Sequence, residues 1–571
     1  MNYQRLFLLM GLILSLFTAL LGRIFYFQAI KGEEIARSAA AMRSQKIELW
    51  DQQRGAIMDR YQQPLTNTTA STALFVSTDI INHVMAIQIE KNPGFTEAEY
   101  YEQLSASIAD LVKGLNREEI KALIQAERDE AQFVMIKSEL DQNEIEQLTA
   151  AAIPGLVVAP FTERHRHDGF LAHVLGYTDH AWAGTGMAGI EKGYDRLLRS
   201  QTGGPHLVAV VDARGQAIPG LAGRLQASRD ERSAVVLTID GRIQEVVEQA
   251  MDHRAERGAA VVMDVHSKEV LAMVSRPVFD PYRVDTAIGF DGRSPLTNRA
   301  LSSYYPGSLF KILLTAAALE EGLVTFEDHF NCSGKYVFND QVSISCLKKE
   351  GHGPLRFDEA FARSCNPTFI EAGLRLGRTR LLNYVDKMHL TDETLLGYEN
   401  TAMGSYVKID GGAAAMGNAS LGQQGVMVTP LQIASLLATV ADNGVWAYPS
   451  LVKYTIDQDG HRTTVTSGER QQVISPSTAA KLRVLLEKVV QEGTGRTAAI
   501  PEAPVAGKTA TSQTGRMISE NEEALNTWFA GYLPADEPRW VVVVLVEEGR
   551  SGSENCAPIF RDISQGILQY Y

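Results

Sequence analysis

The run Pro306-Gly-Ser308-Leu-Phe-Lys311-Ile-Leu-Leu-Thr-Ala-Ala-Ala-Leu319 is apolar almost all round, yet it carries a lysine. A helix of that composition belongs inside a core, not on a surface, so a large folded domain must surround it. Lysine is almost never fully buried unless it is paired. A separation of three puts Ser308 and Lys311 on one helix face. Desolvation lowers the pKa of an ammonium, and a neutral amine can take the proton of a neighbouring hydroxyl. The pair is therefore a candidate nucleophile with its base. A second Ser-x-x-Lys, Ser345-Cys-Leu-Lys348, lacks the apolar context and is set aside.

On either side of this helix the pattern is that of strands. Val235 to Ile239 and Ala259 to Val265 read as strands, and Val270 to Val274 returns as a hairpin after His266-Ser-Lys-Glu269. Far downstream, Trp528 to Leu533 and Trp540 to Val546 make another pair, the second unbroken enough to be buried on both faces. Strands at both ends with a helical middle predict an α+β fold, an antiparallel sheet packed by helices.

Towards the N-terminus, Arg54 to Arg60 reads as a strand ending in a turn, and residues 95 to 150 have apolar residues at helical spacing. From 170 to 230 the texture suggests short strands and Gly-rich turns, including Gly184 to Gly189 and Asp212-Ala-Arg-Gly215. The Gly-rich run lacks the Lys-Ser/Thr of a phosphate loop. Leu6 to Gly22 holds no charge, and Ile24-Phe-Tyr-Phe-Gln-Ala-Ile30 extends it to the ~20 residues needed to cross a bilayer. No small-x-small cleavage site closely follows, and Phe25, Tyr26 and Phe27 suit an interfacial belt, so an anchor is expected over a cleaved signal peptide. A charged, helix-prone stretch follows it.

A chain of 571 residues implies more than one domain. With 45% hydrophobic and 21% charged residues it is neither disordered nor multi-spanning, and a net charge of −14 argues against a nucleic-acid partner. The four cysteines are too few for a disulfide scaffold and lack zinc-ligand spacing, so no metal is expected. Cys332 and Cys346 are candidates for a bridge in an oxidising compartment, whereas Cys365 and Cys556 read as unpaired thiols.

Two further motifs complete a chemical set. Ser364-Cys-Asn366 puts a second hydroxyl beside an amide, and the β-prone Val505-Ala-Gly-Lys508-Thr509-Ala-Thr511 places a cation on a strand. Alternation puts Lys508 and Ala510 on one face, where a lysine would hold a carboxylate by charge-assisted hydrogen bonds. A nucleophilic serine with an amine base, a second hydroxyl and a carboxylate clamp point to acyl transfer through a serine ester.

With these motifs in this order, the chain resembles a class B penicillin-binding protein, a membrane-anchored D,D-transpeptidase of peptidoglycan synthesis. Arg54-Gly55 with Asp59-Arg60, His173 to Tyr177, Gly189 to Asp195, Asn298-Arg-Ala300, Gly422-Gln423, Thr429-Pro-Leu-Gln432, Gly493-Thr-Gly495 and Trp528-Phe529 extend the resemblance over nearly the whole chain.

The resemblance implies an anchor in residues 1–30 and a non-catalytic pedestal of the dimerisation-domain type in 31–232. A transpeptidase domain similar to serine β-lactamases would follow in 233–571, outside the cell membrane. It implies Ser308, Lys311, Ser364 and Asn366 as catalytic residues and Lys508, Thr509 and Thr511 as substrate-binding residues, with no cofactor. The implied ligands are peptidoglycan stem peptides and β-lactam antibiotics, and the implied partner is a separate membrane glycan polymerase of the SEDS type. D,D-carboxypeptidases and β-lactamases use the same residues with water as acceptor, and a non-catalytic sensor or scaffold is the other alternative. One departure stands out: the third motif usually ends in glycine, and here Ala510 takes its place. Its methyl is expected to narrow the gap between strand and nucleophile.

Overall fold

In the computed structural model, the described residues are 3–32, 44–48, 54–127, 133–179, 184–199, 206–210, 224–226, 233–288, 294–396, 404–465, 468–520 and 522–571. The helix-prone stretch at 33–43 and the turn at Asp212–Gly215 lie outside them. The chain forms two compact units, one of residues 1–53, 69–163 and 201–230, the other of 54–68, 164–200 and 231–571.

The second unit is built on a five-stranded sheet. Its strands are β1 (Gly258–Asp264), β2 (Val270–Arg276), β3 (Ala506–Ser519), β4 (Glu522–Leu533) and β5 (Trp540–Glu547). They are antiparallel throughout, in the order β2-β1-β5-β4-β3, as the runs at both ends predict. β5 is buried from Trp540 to Val546 because both faces are covered. Alternation assigns Val542 and Val544 to one core, with Phe529, Phe560 and Ile563, and Val541, Val543 and Leu545 to the other, with Trp528, Leu313 and Leu436. Around the sheet lie α1 (Gly241–Arg254), α2 (Phe310–Glu320), α3 (Asn366–Leu376), α4 (Pro430–Ala441), α5 (Pro476–Gln491) and α6 (Ala557–Leu568). The first and last contribute Ile243, Val247, Phe560 and Ile563 to the first core, the others Leu313, Phe369, Leu436 and Leu485 to the second.

The run that opened the sequence is α2, entered by a 3-10 turn at Gly307–Leu309, and every residue from Phe310 to Leu319 is buried. Fully burying a Leu or Phe side chain contributes ~1.5–3 kcal/mol, so this helix is fixed by its apolar surface. All of α4 is buried too, and its N-terminus is satisfied by a capping box between Thr429 and Gln432 with proline in the first turn.

The stretch 170–200 corrects the sequence reading. Instead of strands it holds three short helices, Ala172–Leu175, Gly189–Gly193 and Asp195–Leu198. They are too short to show a helical period, and glycine lets them touch: a Cβ on Gly176 would stand 1.9 Å from Ala188 O. Here Glu191 accepts from Arg54 (2.5 Å) and Arg164 (2.5 Å), and Arg54 also reaches Asp195 (2.8 Å). Burial alone would raise the Glu191 carboxyl, but the two guanidiniums prevail and hold it at about 2. Removing one member of such a buried set costs about 3–5 kcal/mol. The expected strand after Arg54 is short, Ile57–Met58, paired parallel with Ala234–Leu237.

The first unit has Thr69–Ser77 between Phe133–Lys137 and Leu156–Glu163 in an antiparallel sheet. The helical reading of 95–150 gives Glu97–Ala109, Arg117–Glu127 and Gln142–Ala151, interrupted by the strand at 133–137. Capping boxes at Thr96/Glu99 and Asp141/Glu144 start two of these helices. A second small sheet joins Ser44–Glu48, His206–Val210 and Arg224–Gln226. The helix Tyr3–Phe25 contains most of an apolar segment, Phe7–Gln28, of 22 residues and mean hydropathy 2.1. At 1.5 Å per residue a helix of that length spans about 33 Å, enough to cross a bilayer core.

Candidate active site

The nucleophile turn is made by two glycines. Gly307 has φ +55° and donates to Gly422 O (2.9 Å), while Gly422 has φ +66° and a Cβ there would lie 2.2 Å from Gly307 O. Only glycine fits this close approach, which delivers Ser308 to the start of α2. The preceding residues are held to the sheet, with Trp528 Nε1 (3.2 Å) and Ser512 Oγ (2.7 Å) both donating to Tyr305 O. Tyr304 Oη and Arg299 Nε donate to Glu547 Oε1 at 2.9 and 2.8 Å.

Lys311 is fully buried. Its Nζ donates to Asn366 Oδ1 (2.8 Å), Ser364 O (3.0 Å) and Ser364 Oγ (3.3 Å), and lies 5.0 Å from the Phe369 ring centroid. Burial pushes its pKa down to about 8, opposed by the thiols of Cys365 and Cys346. Ser364 Oγ in turn donates to Ser308 Oγ at 2.9 Å. The hydrogen-bonded path from amine to nucleophile thus runs through the second motif's hydroxyl.

Ser364 occupies the left-handed region, with φ +55°, a conformation that costs a non-glycine residue about 1–3 kcal/mol. It turns the chain between the helix Phe357–Ala362 and α3, where Cys365 is the N-cap and Pro367 lies in the first turn. Asn366 faces two ways, accepting from Lys311 and donating through Nδ2 to Ser345 O (2.9 Å).

These groups open onto a cleft of about 1060 Å³ lined by Ser308, Ser364, Asn366, Thr509, Ala510 and Thr511 among others. Thr509 and Thr494 share a 2.6 Å hydroxyl contact. Lys508 is placed differently from its motif neighbours. It is fully buried, its Nζ reaches Thr509 O at 3.4 Å, and burial first, then the charge of Lys311, hold its pKa well below the ordinary value. Ala510 is 4% exposed, and a Cβ on Gly307 would stand 3.4 Å from its methyl, so this side chain faces the nucleophile turn.

Sequence reasoning missed parts of the cleft: the wall Ser343–Leu347, Gln424 and the Ser551–Ser553 turn. It also missed a cluster behind the wall. The four cysteines are unbridged, and Cys332, Cys346 and Cys365 gather with His352, although their spacing along the chain gave no sign of it.

Comparison with known proteins shows a family over most of the chain. The penicillin binding protein transpeptidase domain matches residues 258–565, and the penicillin-binding protein dimerisation domain matches 51–226. Stage V sporulation protein D of Bacillus subtilis is 30% identical over 567 residues, covering 96% of this chain and 82% of that protein. The peptidoglycan D,D-transpeptidase PbpA of Mycobacterium tuberculosis is 32% identical over 375 residues, 60% of this chain and 74% of the relative. The crystal structure of penicillin-binding protein 3 from M. tuberculosis with aztreonam superposes with a TM-score of 0.61 and 24% identity, over 92% of this chain and 97% of that one. At that identity the likeness is one of fold.

Proposed function

The chain belongs to the class B penicillin-binding proteins, and on that premise we propose that Ser308 is its acylated nucleophile, with Lys311 as base and Ser364 as proton relay. It is a peptidoglycan D,D-transpeptidase that binds β-lactams. The observation that carries the residue assignment is the path Lys311–Ser364–Ser308 at the cleft.

With Lys311 neutral, the hydrogen bonds reverse direction. Ser308 gives its proton to Ser364, which passes its own to the amine, and Ser308 Oγ attacks the carbonyl carbon of the penultimate D-Ala. Backbone N–H groups of Ser308 and Thr511 stabilise the oxyanion. The C–N bond breaks, and the proton returns through Ser364 to the departing D-Ala amine. An acceptor amine then attacks the ester, its proton leaves by the same relay, and Ser308 is regenerated as the cross-link forms. Asn366 orients Lys311 and the substrate amide. Thr509 and Thr511 hold the terminal carboxylate by their hydroxyls, and the bound carboxylate favours the protonated form of Lys508 behind them, against the burial that lowers its pKa.

We assign this reaction to residues 233–571, with the non-catalytic pedestal in 31–232 and a single-pass anchor in 1–30 that holds the catalytic residues outside the cell membrane. A membrane glycan polymerase of the SEDS type would supply the strands. Intact-mass analysis after exposure to a fluorescent penicillin tests the centre of this reading. One adduct is expected on the wild type and none on Ser308→Ala. An adduct that survives in Ser308→Ala overturns the assignment.

A further inference from the structure

Three thiols and an imidazole that the transpeptidase reaction does not use meet behind the cleft wall. Cys332, Cys346, His352 and Cys365 each offer one ligand atom, all within 4.8 Å of one another. Cys346 Sγ stands 3.6 Å from His352 Nδ1. In a tetrahedral zinc site, with Zn–S near 2.3 Å and Zn–N near 2.0 Å, neighbouring ligand atoms are about 3.5–3.8 Å apart, so modest side-chain shifts close these four into a shell.

The backbone is drawn tightly around the sulfurs. Cys332 ends the strand His329–Cys332 opposite Gly353, and Cys346 donates its N–H to Gly334 O at 2.8 Å. Gly334 and Gly351 have φ +95° and +87°, and a Cβ on Gly351 would lie 2.3 Å from Cys332 O. The cysteines are no more than 3% exposed. The apolar cluster around the sulfurs adds only Leu355 and Ala360, while the same segments reach the larger core through Phe330, Phe357 and Phe369.

We propose that Cys332 Sγ, Cys346 Sγ, Cys365 Sγ and His352 Nδ1 form a structural Zn²⁺ site that fastens the second motif to the cleft wall. Thiolates with one imidazole suit zinc over magnesium or calcium, and four protein ligands leave no open position for catalysis. Each thiol releases its proton on ligation. Cys365 lies between Ser364 and Asn366, and Cys346 follows Ser345, whose carbonyl accepts from Asn366. The metal therefore ties both ends of that contact.

The test uses the full chain in detergent and reads metal, so it stands whether or not Ser308 is the acylated residue. Elemental analysis after gel filtration is expected to give about one zinc per chain. Cobalt exchanged into the wild type is expected to give thiolate-to-metal charge-transfer and tetrahedral d–d bands, a readout that does not depend on a variant folding. Cys346→Ser and His352→Ala should lower zinc retention at least about tenfold, while Cys556→Ser retains it. Stripping the zinc should slow acylation by fluorescent penicillin about tenfold or more through displacement of Ser364 and Asn366. A folded wild type that takes up neither metal, or an intact mass two hydrogens light from a bridge among the three thiols, overturns the site. An unchanged acylation rate after zinc removal overturns its positioning role.

Discussion

The helix that carries Ser308 and Lys311 and the loop that carries Ser364 and Asn366 meet through the serine–serine hydrogen bond and the three bonds that Lys311 donates, yet different forces hold them. α2 is fixed by ten consecutive buried residues in the larger core. The second motif turns on a left-handed serine between two helices that reach that same core through Phe361 and Phe369, and Cys365 itself packs in a small sulfur-rich cluster. The first is robust in position and vulnerable only in its chemistry. The second concentrates its backbone strain at Ser364, so its local conformation is the thing at risk.

The sharpest way to separate chemistry from packing in α2 is Lys311→Met. It should lower the second-order rate of penicillin acylation by roughly 10²–10⁴, the worth of a general base, while the unfolding midpoint stays level or rises because a buried amine is replaced by an apolar chain. A fall in rate with a matching loss of folded protein would contradict the comparison. Leu313→Ala should do the opposite, destabilising the chain by about 2–5 kcal/mol in denaturant titration with little change in acylation per folded molecule.

pH acts on the Lys311 amine, and on Lys508 behind the carboxylate site, whose pKa burial also holds low. Because burial lowers Lys311 to about 8, the neutral base is scarce below that value, and the acylation rate should climb up to about tenfold per pH unit between pH 6 and 8 and level off above it. A flat profile in stopped-flow acylation would count against Lys311 as the base. For the loop, Ser364→Gly and Ser364→Ala both remove the relay hydroxyl, but only glycine relieves the left-handed backbone. Glycine should be the more stable of the two by about 1 kcal/mol in thermal unfolding. The smallest effect belongs to Ala510→Gly. The methyl touches the nucleophile turn without blocking it, so a change of only a few-fold in acylation rate is expected, and no change at all would make the methyl irrelevant.

The parts legible in the sequence are those with strong local signals. The apolar run around Lys311 announced a buried amine, and the Trp540–Val546 run announced a strand covered on both faces. Lys508 was harder to read. Alternation assigns it to a face, but β3 is buried on both faces from Ala506 to Ala510 even though it is the edge strand of the sheet. Chain folding over that edge, at the Gly307–Leu309 turn, is a tertiary event that period-2 patterning does not record. The cysteine cluster was invisible for a related reason. Its four members come from a strand end, a hairpin, a turn and a helix cap, and only the Gly334 and Gly351 turns bring them together. Arg54 with Glu191 likewise depends on segments far apart along the chain.

The sheet's order has a consequence for biogenesis. Val262 pairs with Ala272 in the hairpin but finds its second neighbour only in Val542, so β1 and its hairpin partner must wait, apolar and half-paired, until almost the whole catalytic region has been synthesised. A nascent chain moving N-terminus first would therefore depend on holding factors during that interval, and a stall or cleavage in the intervening helices would leave an aggregation-prone ribbon rather than a smaller enzyme.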